Sequence, residues 1–493
     1  MTTTEVVTES IGQQAGRGLR WSLIGTLLMK VGSFAMGLVL ARLLVPEDFG
    51  VFAIALAATG VLMHINDVGL IAATVQWRGK LEDMAPTAAT MAALFGLVVY
   101  GLFWVTAPTF AAAAGNRAAA PVVQLLTLVI VIDGITAVRS AALMRTFQQG
   151  KLILANSAGL VVNAVIAITL AADGAGAYSF AWGQLVGAAV TGVLVFVFAR
   201  VPVRVGFDKE VARKLMRFGL PLAASLGVEA IITNVQFMII GHITGDIALG
   251  FFLLAFNMSS WAQSILGTAV RYVSVAGFSR LSERDDDALS DGVHRSMPLL
   301  FLVIAPIVAL MSVLAVPLVT FLYGAEWGPA GPILRILVGL TFVRMTTGLA
   351  MDVLMGAGAT RATLWVNLGW AIALIPTLWV ATEMDGVRGA AIAQVGVGIL
   401  VAVPLAALGL HRSRVALAPL GPALLRPVLA GLLAAVVALA VMRMAGPHPF
   451  VELALAGTAG LAAYVPVAVP REQLRQWLAA LRRGPRQPAG ALD

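Results

Sequence analysis

Of the 493 residues, 59% are hydrophobic and 12% charged, and the mean hydropathy is +0.92; soluble domains carry roughly twice that charge, so lipid is the expected solvent. A net charge of +8 follows in a membrane chain from basic inner loops, which argues against nucleic acid as the partner. Cysteine is absent and the five histidines never fall at metal-ligand spacing, which excludes disulfides, iron–sulfur clusters and thiol catalysis and leaves no call for a metal or other cofactor.

The first sixteen residues are polar. The first apolar run, 21–43, is too long for a signal-peptide core and lacks a small-residue cleavage site, so it is expected to stay as the first helix. Five further runs follow at 52–75, 87–107, 121–145, 154–172 and 178–199. After a basic linker come eight more, at 218–240, 249–273, 297–322, 329–356, 364–381, 389–410, 423–442 and 451–469. Each can cross a hydrocarbon core of about 30 Å. In the tail, Leu474, Trp477, Leu478 and Leu481 share one helical face with arginines around it, the pattern of a helix lying on the inner membrane surface. The acidic stretch 282–290 reads as a solvated loop.

Charge tests this count of fourteen. With the N-terminus inside, the inner segments hold Arg17 and Arg20, Arg78 and Lys80, Arg145 and Lys151, six cations from Arg200 to Arg217, Arg361 alone, and clusters near Arg284, Arg412 and Arg475. The outer loops hold Arg117, Arg388 and Arg443, with Arg42 at the outer end of the first helix. A missed helix would invert the bias for the rest of the chain, and no inversion occurs.

The chain also repeats itself. A shift of 200 residues sets Leu40-Ala41-Arg42-Leu43 on Ile240-Gly241-His242-Ile243, Gly50 on Gly250 and Phe52 on Phe252. Pro121 and Asn156 find weaker echoes in Pro332 and Asn367. Six helices separate the copies, so the halves share an orientation and are related by an axis along the membrane normal. The expected architecture is an all-α integral membrane protein of about fourteen transmembrane helices, two pseudo-symmetric six-helix bundles plus two C-terminal helices. Its parts are a cytoplasmic segment 1–20, a bundle 21–200, a cytoplasmic linker 201–217, a second bundle 218–410, the last two helices in 411–470, and an interfacial helix with a disordered tail in 471–493.

Ionisable groups within such helices are costly and need a reason. Lys30, Asp133, Glu229 and Arg344 fall near mid-depth; Asp67, Arg139, Arg271 and Asp352 lie toward the inner ends, and Arg335 toward the outer end. One reading is a partly cationic cavity for a phosphate-bearing head group, with Lys30, Glu229, Arg344, Arg139 and Arg271 as binding candidates, since Arg grips phosphate with a bidentate fork and Lys with a point charge. Glu229, Asp133 and Asp67 are then candidates for coupling to an ion or proton. The plain alternative is that opposite charges pair and set helix registry, or that those near the ends reach to the interface. Lys30 and Glu229 stand apart, each at mid-depth on the first helix of its half. Gly37, Gly60, Gly187 and Gly192 read as packing surfaces. No nucleophile elbow, phosphate loop or His-Glu-x-x-His occurs, so neither an enzyme nor an ATP-driven pump is expected.

The stretch Leu40-Ala-Arg-Leu-Leu-Val-Pro-Glu-Asp-Phe-Gly, with Asp67-Val-Gly-Leu, Arg217-Phe-Gly-Leu-Pro-Leu, Ala248-Leu-Gly-Phe-Phe, Tyr323-Gly-Ala-Glu-Trp and Gly356-Ala-Gly-Ala-Thr-Arg361, resembles in order and spacing the polysaccharide and O-antigen flippases of the multidrug/oligosaccharidyl-lipid/polysaccharide exporter superfamily. The resemblance runs from about Arg17 to Arg414. It implies two bundles that expose a central cavity alternately to each side of the cytoplasmic membrane, a lipid-linked oligosaccharide as substrate, and polymerase and glycosyltransferases of the same pathway as partners. It departs from the family pattern at Gln236 and Phe237, where many relatives carry an Asp and a basic or polar residue. Competing readings are a drug/cation antiporter of the superfamily, a flippase for the peptidoglycan precursor, and a membrane polymerase or glycosyltransferase. The last would need large outer loops, and the longest here is short.

Overall fold

The computed structural model describes residues 11–75, 81–146, 148–199, 201, 204–261, 286–356, 359–413, 415–416, 420–444, 446 and 448–469, and among them no strand occurs. The helices are α1 (Ile11–Leu43), α2 (Pro46–Val75), α3 (Leu81–Ala113), α4 (Ala120–Thr127), α5 (Val129–Arg145), α6 (Gln149–Ala172), α7 (Tyr178–Phe198) and α8 (Lys209–Thr244). They continue with α9 (Asp246–Trp261), then α10 (Asp286–Val313), α11 (Ala315–Tyr323), α12 (Ala330–Gly356), α13 (Thr360–Val397), α14 (Val403–Arg412), α15 (Leu420–Met444) and α16 (Pro449–Ala468). Nine helical stretches among the described residues are long and apolar enough to cross a membrane. Leu102, Val105, Val197, Leu400 and Val436 are each more than 60% exposed, an apolar surface that only lipid would solvate well.

Local chemistry sets where helices start and stop. Pro46 opens α2, with Glu47 and Asp48 in the first turn, where a proline loses no hydrogen bond and carboxylates meet the positive end of the helix dipole. Asp208 caps α8, its Oδ1 accepting the N–H of Glu210 at 2.7 Å and of Val211 at 3.2 Å. Gly245 ends α8 at φ +81°, a conformation that favours glycine.

Several expected helices carry breaks. The run 297–322 divides at Leu314 between α10 and α11, because Pro317 has no N–H for the carbonyl of residue 313. Within α13 the backbone turns at Asp385 and Gly386 (φ +54°, ψ −141°), which separates the runs 364–381 and 389–410. The π segment Gly398–Ala402 leads into Pro404, whose missing N–H favours a wider turn there.

The chain divides into two compact units. Unit 1 comprises residues 1–254 and 375–390, so α8 packs there, along α2. In it α6 and α7 approach closely through small residues: a Cβ on Gly187 would stand 2.6 Å from the carbonyl oxygen of Gly159, and one on Gly183 2.5 Å from Asn163 Oδ1. The starts of α2 and α9 meet reciprocally, since a Cβ on Gly50 would overlap the carbonyl of Asp246 and one on Gly250 the carbonyl of Pro46. Beside them Asn116 Nδ2 donates to Asp246 Oδ2 at 2.6 Å. Of the glycines read as packing surfaces, Gly60 faces Asn234 and Gly192 faces Thr136. Gly37 is the correction: nothing lies within 4 Å of where its Cβ would be, because α1 rests on α6 through Gly25 and Gly32 instead.

Unit 2 comprises residues 255–374 and 391–493. Its α15 and α16 pair through Ala430, Ala434, Ala438, Ala456 and Gly460, all small, and Tyr464 Oη donates to the carbonyl of Leu302 on α10 at 2.7 Å. Phe301 of α10 and Phe342 of α12 meet edge to face with centroids 4.9 Å apart.

Candidate functional site

Lys30 is the candidate whose setting is most fully described. Helix α1 packs on α6, with Gly25 against Ile153 and Gly32 against Leu160. At about 100° per residue, Lys30, Ser33 and Gly37 form a stripe on the flank turned away from Gly32. Leu28 and Val31, both more than half exposed, occupy the other flank. The helix thus offers an apolar side to lipid and a narrow polar side carrying one cation. Among the described residues Lys30 makes no ion pair.

On α5, Asp133 is half-buried, while Arg139 is only 4% exposed. Asp133 and Arg139 are six residues apart, on different helical faces. The guanidinium of Arg139 lies 3.8 Å over the ring of Phe196 and donates to the carbonyl of Val201 at 3.4 Å. Its partners are therefore an aromatic face and a main-chain carbonyl; no carboxylate among the described residues pairs with it.

Helix α8 carries Glu229, whose side chain lies outside the described residues. Downstream on the same helix Asn234 and Gln236 are buried; Asn234 Oδ1 stands 2.6 Å from where a Gly60 Cβ would be, so only a glycine on α2 admits this amide. Phe237 packs against Phe252 with centroids 6.2 Å apart. Phe237 is thus committed to packing, which accounts for an apolar residue at that position. The side chain of Asp67 and all of Arg271 also lie outside the described residues.

In unit 2, the guanidinium of Arg344 on α12 stands 5.0 Å over Phe256, a cation–π distance. One turn from Phe256, Ser259 Oγ donates to the carbonyl of Leu337 at 2.7 Å while Thr341 Oγ1 donates to the carbonyl of Ser259 at 2.8 Å. This two-way clamp fixes α9 on α12 and holds Phe256 beneath Arg344. Asp352 is buried, and Arg335 is exposed with its carbonyl accepting from Ser312 Oγ at 3.0 Å. Sequence reading overlooked the Ser259–Thr341 clamp and the Gly60–Asn234 contact. Small polar residues in apolar runs were their only signal.

Comparison with known proteins places this geometry. A family model described as "Polysaccharide biosynthesis protein" matches residues 39–332. The succinoglycan biosynthesis transport protein ExoT of Rhizobium meliloti (strain 1021) is 27% identical over 493 residues, covering 97% of this chain and 98% of that protein. The lipopolysaccharide biosynthesis protein WzxC of Escherichia coli (strain K12) is 20% identical over 382 residues, 77% of each chain. Among solved structures, the lipid II flippase MurJ in an inward closed conformation superposes with a TM-score of 0.76 at 13% identity, over 93% of this chain and 99% of that one. An inward-facing multidrug resistance MATE family transporter of the MOP superfamily gives 0.64 at 18% identity, over 80% and 98%. The last two likenesses establish the fold.

Proposed function

This chain belongs to the polysaccharide biosynthesis protein family, and on that premise we propose that it moves a polyprenyl-pyrophosphate-linked oligosaccharide from the cytoplasmic to the outer leaflet for exopolysaccharide or O-antigen assembly. The observation that carries the proposal is the match to a succinoglycan transport protein along 97% of the chain. In this reading fourteen helices, arranged as two six-helix bundles and a C-terminal pair, cross the cytoplasmic membrane with both ends inside. The bundles open a shared cavity to each side in turn, and the sugar–pyrophosphate head crosses in it while the polyprenyl tail stays in lipid. The reciprocal glycine contacts of Gly50 and Gly250, 200 residues apart, support the repeat on which this layout rests.

Lys30, Arg344 and Arg271 are the cations assigned to the pyrophosphate; Glu229, Asp133 and Asp67 are assigned to coupling. An isolated ammonium on a polar stripe within a spanning helix is costly unless an anion or water meets it, and a phosphate head group is such an anion. A drug/cation antiporter would share the MATE fold but needs a carboxylate-dominated cavity, which the two cations disfavour. Pathway polymerases and glycosyltransferases are the proposed partners.

Deleting the gene in its host and labelling intact and opened cells with an impermeant sugar-oxidising probe tests the reading. Accumulation of a complete lipid-linked repeat unit, protected inside, is expected; unchanged glycans with altered drug tolerance would replace it with the antiporter. Lys30→Ala and Glu229→Ala are each expected to cut export at normal protein abundance, and wild-type export in both would return these groups to structural roles.

A further inference from the structure

A cavity of about 390 Å3 lies where the end of α5, the start of α6, the end of α7 and the start of α3 meet. Its polar lining is Thr146, Gln148 and Lys151; its apolar lining includes Leu81, Leu143 and Phe198. Val201, also in the wall, is the residue whose carbonyl accepts from Arg139. The buried guanidinium is therefore anchored to the cavity wall, about one helical turn from the lining residues Ala142 and Leu143 on α5.

The charges here do not balance. Arg139 and Lys151 make no ion pair among the described residues, and neither do Glu82, Asp83 or Asp208 on the adjoining elements. Asp208 is spent on the cap of α8. Helix α6 begins at this spot with no acidic residue in its first turn and no side-chain cap from Gln148, so its positive end also lacks a counter-charge. The partners of Arg139, an aromatic ring and a main-chain carbonyl, leave its buried charge without a counter-ion, a substantial penalty; with the exposed Lys151 and a helix start around the same cavity, an anion would balance it.

We propose that this cavity binds the phosphate of an anionic phospholipid from the inner leaflet, with Lys151 on the phosphate and Arg139 and the α6 start supplying the field behind it. The apolar walls favour a lipid over a soluble phosphate, because the entering group must carry apolar surface with it, and basic pockets between spanning helices on the cytoplasmic side are suited to such head groups. The assignment rests on the topology of the flippase reading, which puts these helix ends inside. It makes Arg139 part of a resident-lipid site instead of the transport cavity.

Native mass spectrometry and thermal melting of the full-length protein in neutral detergent, titrated with phosphatidylglycerol, cardiolipin, phosphatidylcholine or inorganic pyrophosphate, test it. Phosphatidylglycerol and cardiolipin are expected to bind and raise the melting temperature while phosphatidylcholine does not. Lys151→Gln, on an exposed side chain, is expected to weaken that binding about five-fold and Lys151→Glu to abolish it, with the lipid-free melting temperature unchanged. Equal binding by wild type and both variants would overturn the site, and stabilisation by pyrophosphate at the same concentration as lipid would overturn the lipid assignment. Binding is read without transport, so the flippase reading can fail in the glycan assay while this site stands.

Discussion

Single atoms decide the glycine positions. A methyl group on Gly50 or Gly250 would meet a main-chain carbonyl, which cannot turn aside as a side chain could, so Gly50→Ala and Gly250→Ala are each expected to destabilise the protein by about 1–3 kcal/mol. Gly37→Ala should do the opposite, gaining up to about 1 kcal/mol from reduced backbone freedom in a helix with open space beside it. Melting temperatures of the three purified variants check both signs. The contrast marks what was legible at this scale. The 200-residue shift singled out Gly50 and Gly250 as a matching pair, but nothing in the letters says that each lies against the other's neighbourhood. Gly37 has the same helical surroundings in sequence as Gly60, and only the position of α6 against Gly25 and Gly32 leaves it unpacked. Lys30 was legible because a lone charge in an apolar run is conspicuous; the partners of Arg139 were not, since Phe196 and Val201 lie far along the chain.

Helix pairing is where sequence said least. Most hydroxyls here bond within their own helix, as Thr59 does to the carbonyl of Ala55 at 2.7 Å and Thr127 to that of Val123 at 2.9 Å, so a Ser or Thr in an apolar run carries no sign that it reaches across. Ser259 and Thr341 do reach across, from α9 to α12. A double-mutant cycle with Ser259→Ala and Thr341→Val should return a coupling of about 0.6 kcal/mol and no more than about 1.7 kcal/mol, the range for interhelical hydrogen bonds in membranes; exact additivity would mean the clamp holds nothing. Breaks within helices were closer to hand. Pro317, Pro404 and Gly386 stand in the sequence as known helix disruptors, yet apolarity ran straight across the first two, and a hydropathy reading follows apolarity and not the missing N–H.

Over the whole chain, the membrane setting follows from composition and the helical class from the length of the apolar runs, while the proposed sidedness rests on the positions of Lys and Arg. Reporter fusions within 204–208 and within 385–388 should report inside and outside respectively; the reverse at either site would undo the proposed topology. The proposed repeat divides between 200 and 218, whereas the compact units follow packing and keep α8 with α2. Covalent order and cohesion are separate properties of this chain. The meeting of α2 and α9 carries a last implication. Position 50 touches 246 and position 250 touches 46, which is the isologous pattern of a two-fold homodimer, in which one patch is its own complement. Here both patches belong to a single polypeptide, so in the proposed repeat each copy meets its own counterpart at this seam, as the two subunits of such a dimer do. At that seam any side chain larger than hydrogen at 50 or at 250 meets a main-chain carbonyl, so the two positions of the proposed repeat are held to the same residue by the same obstruction.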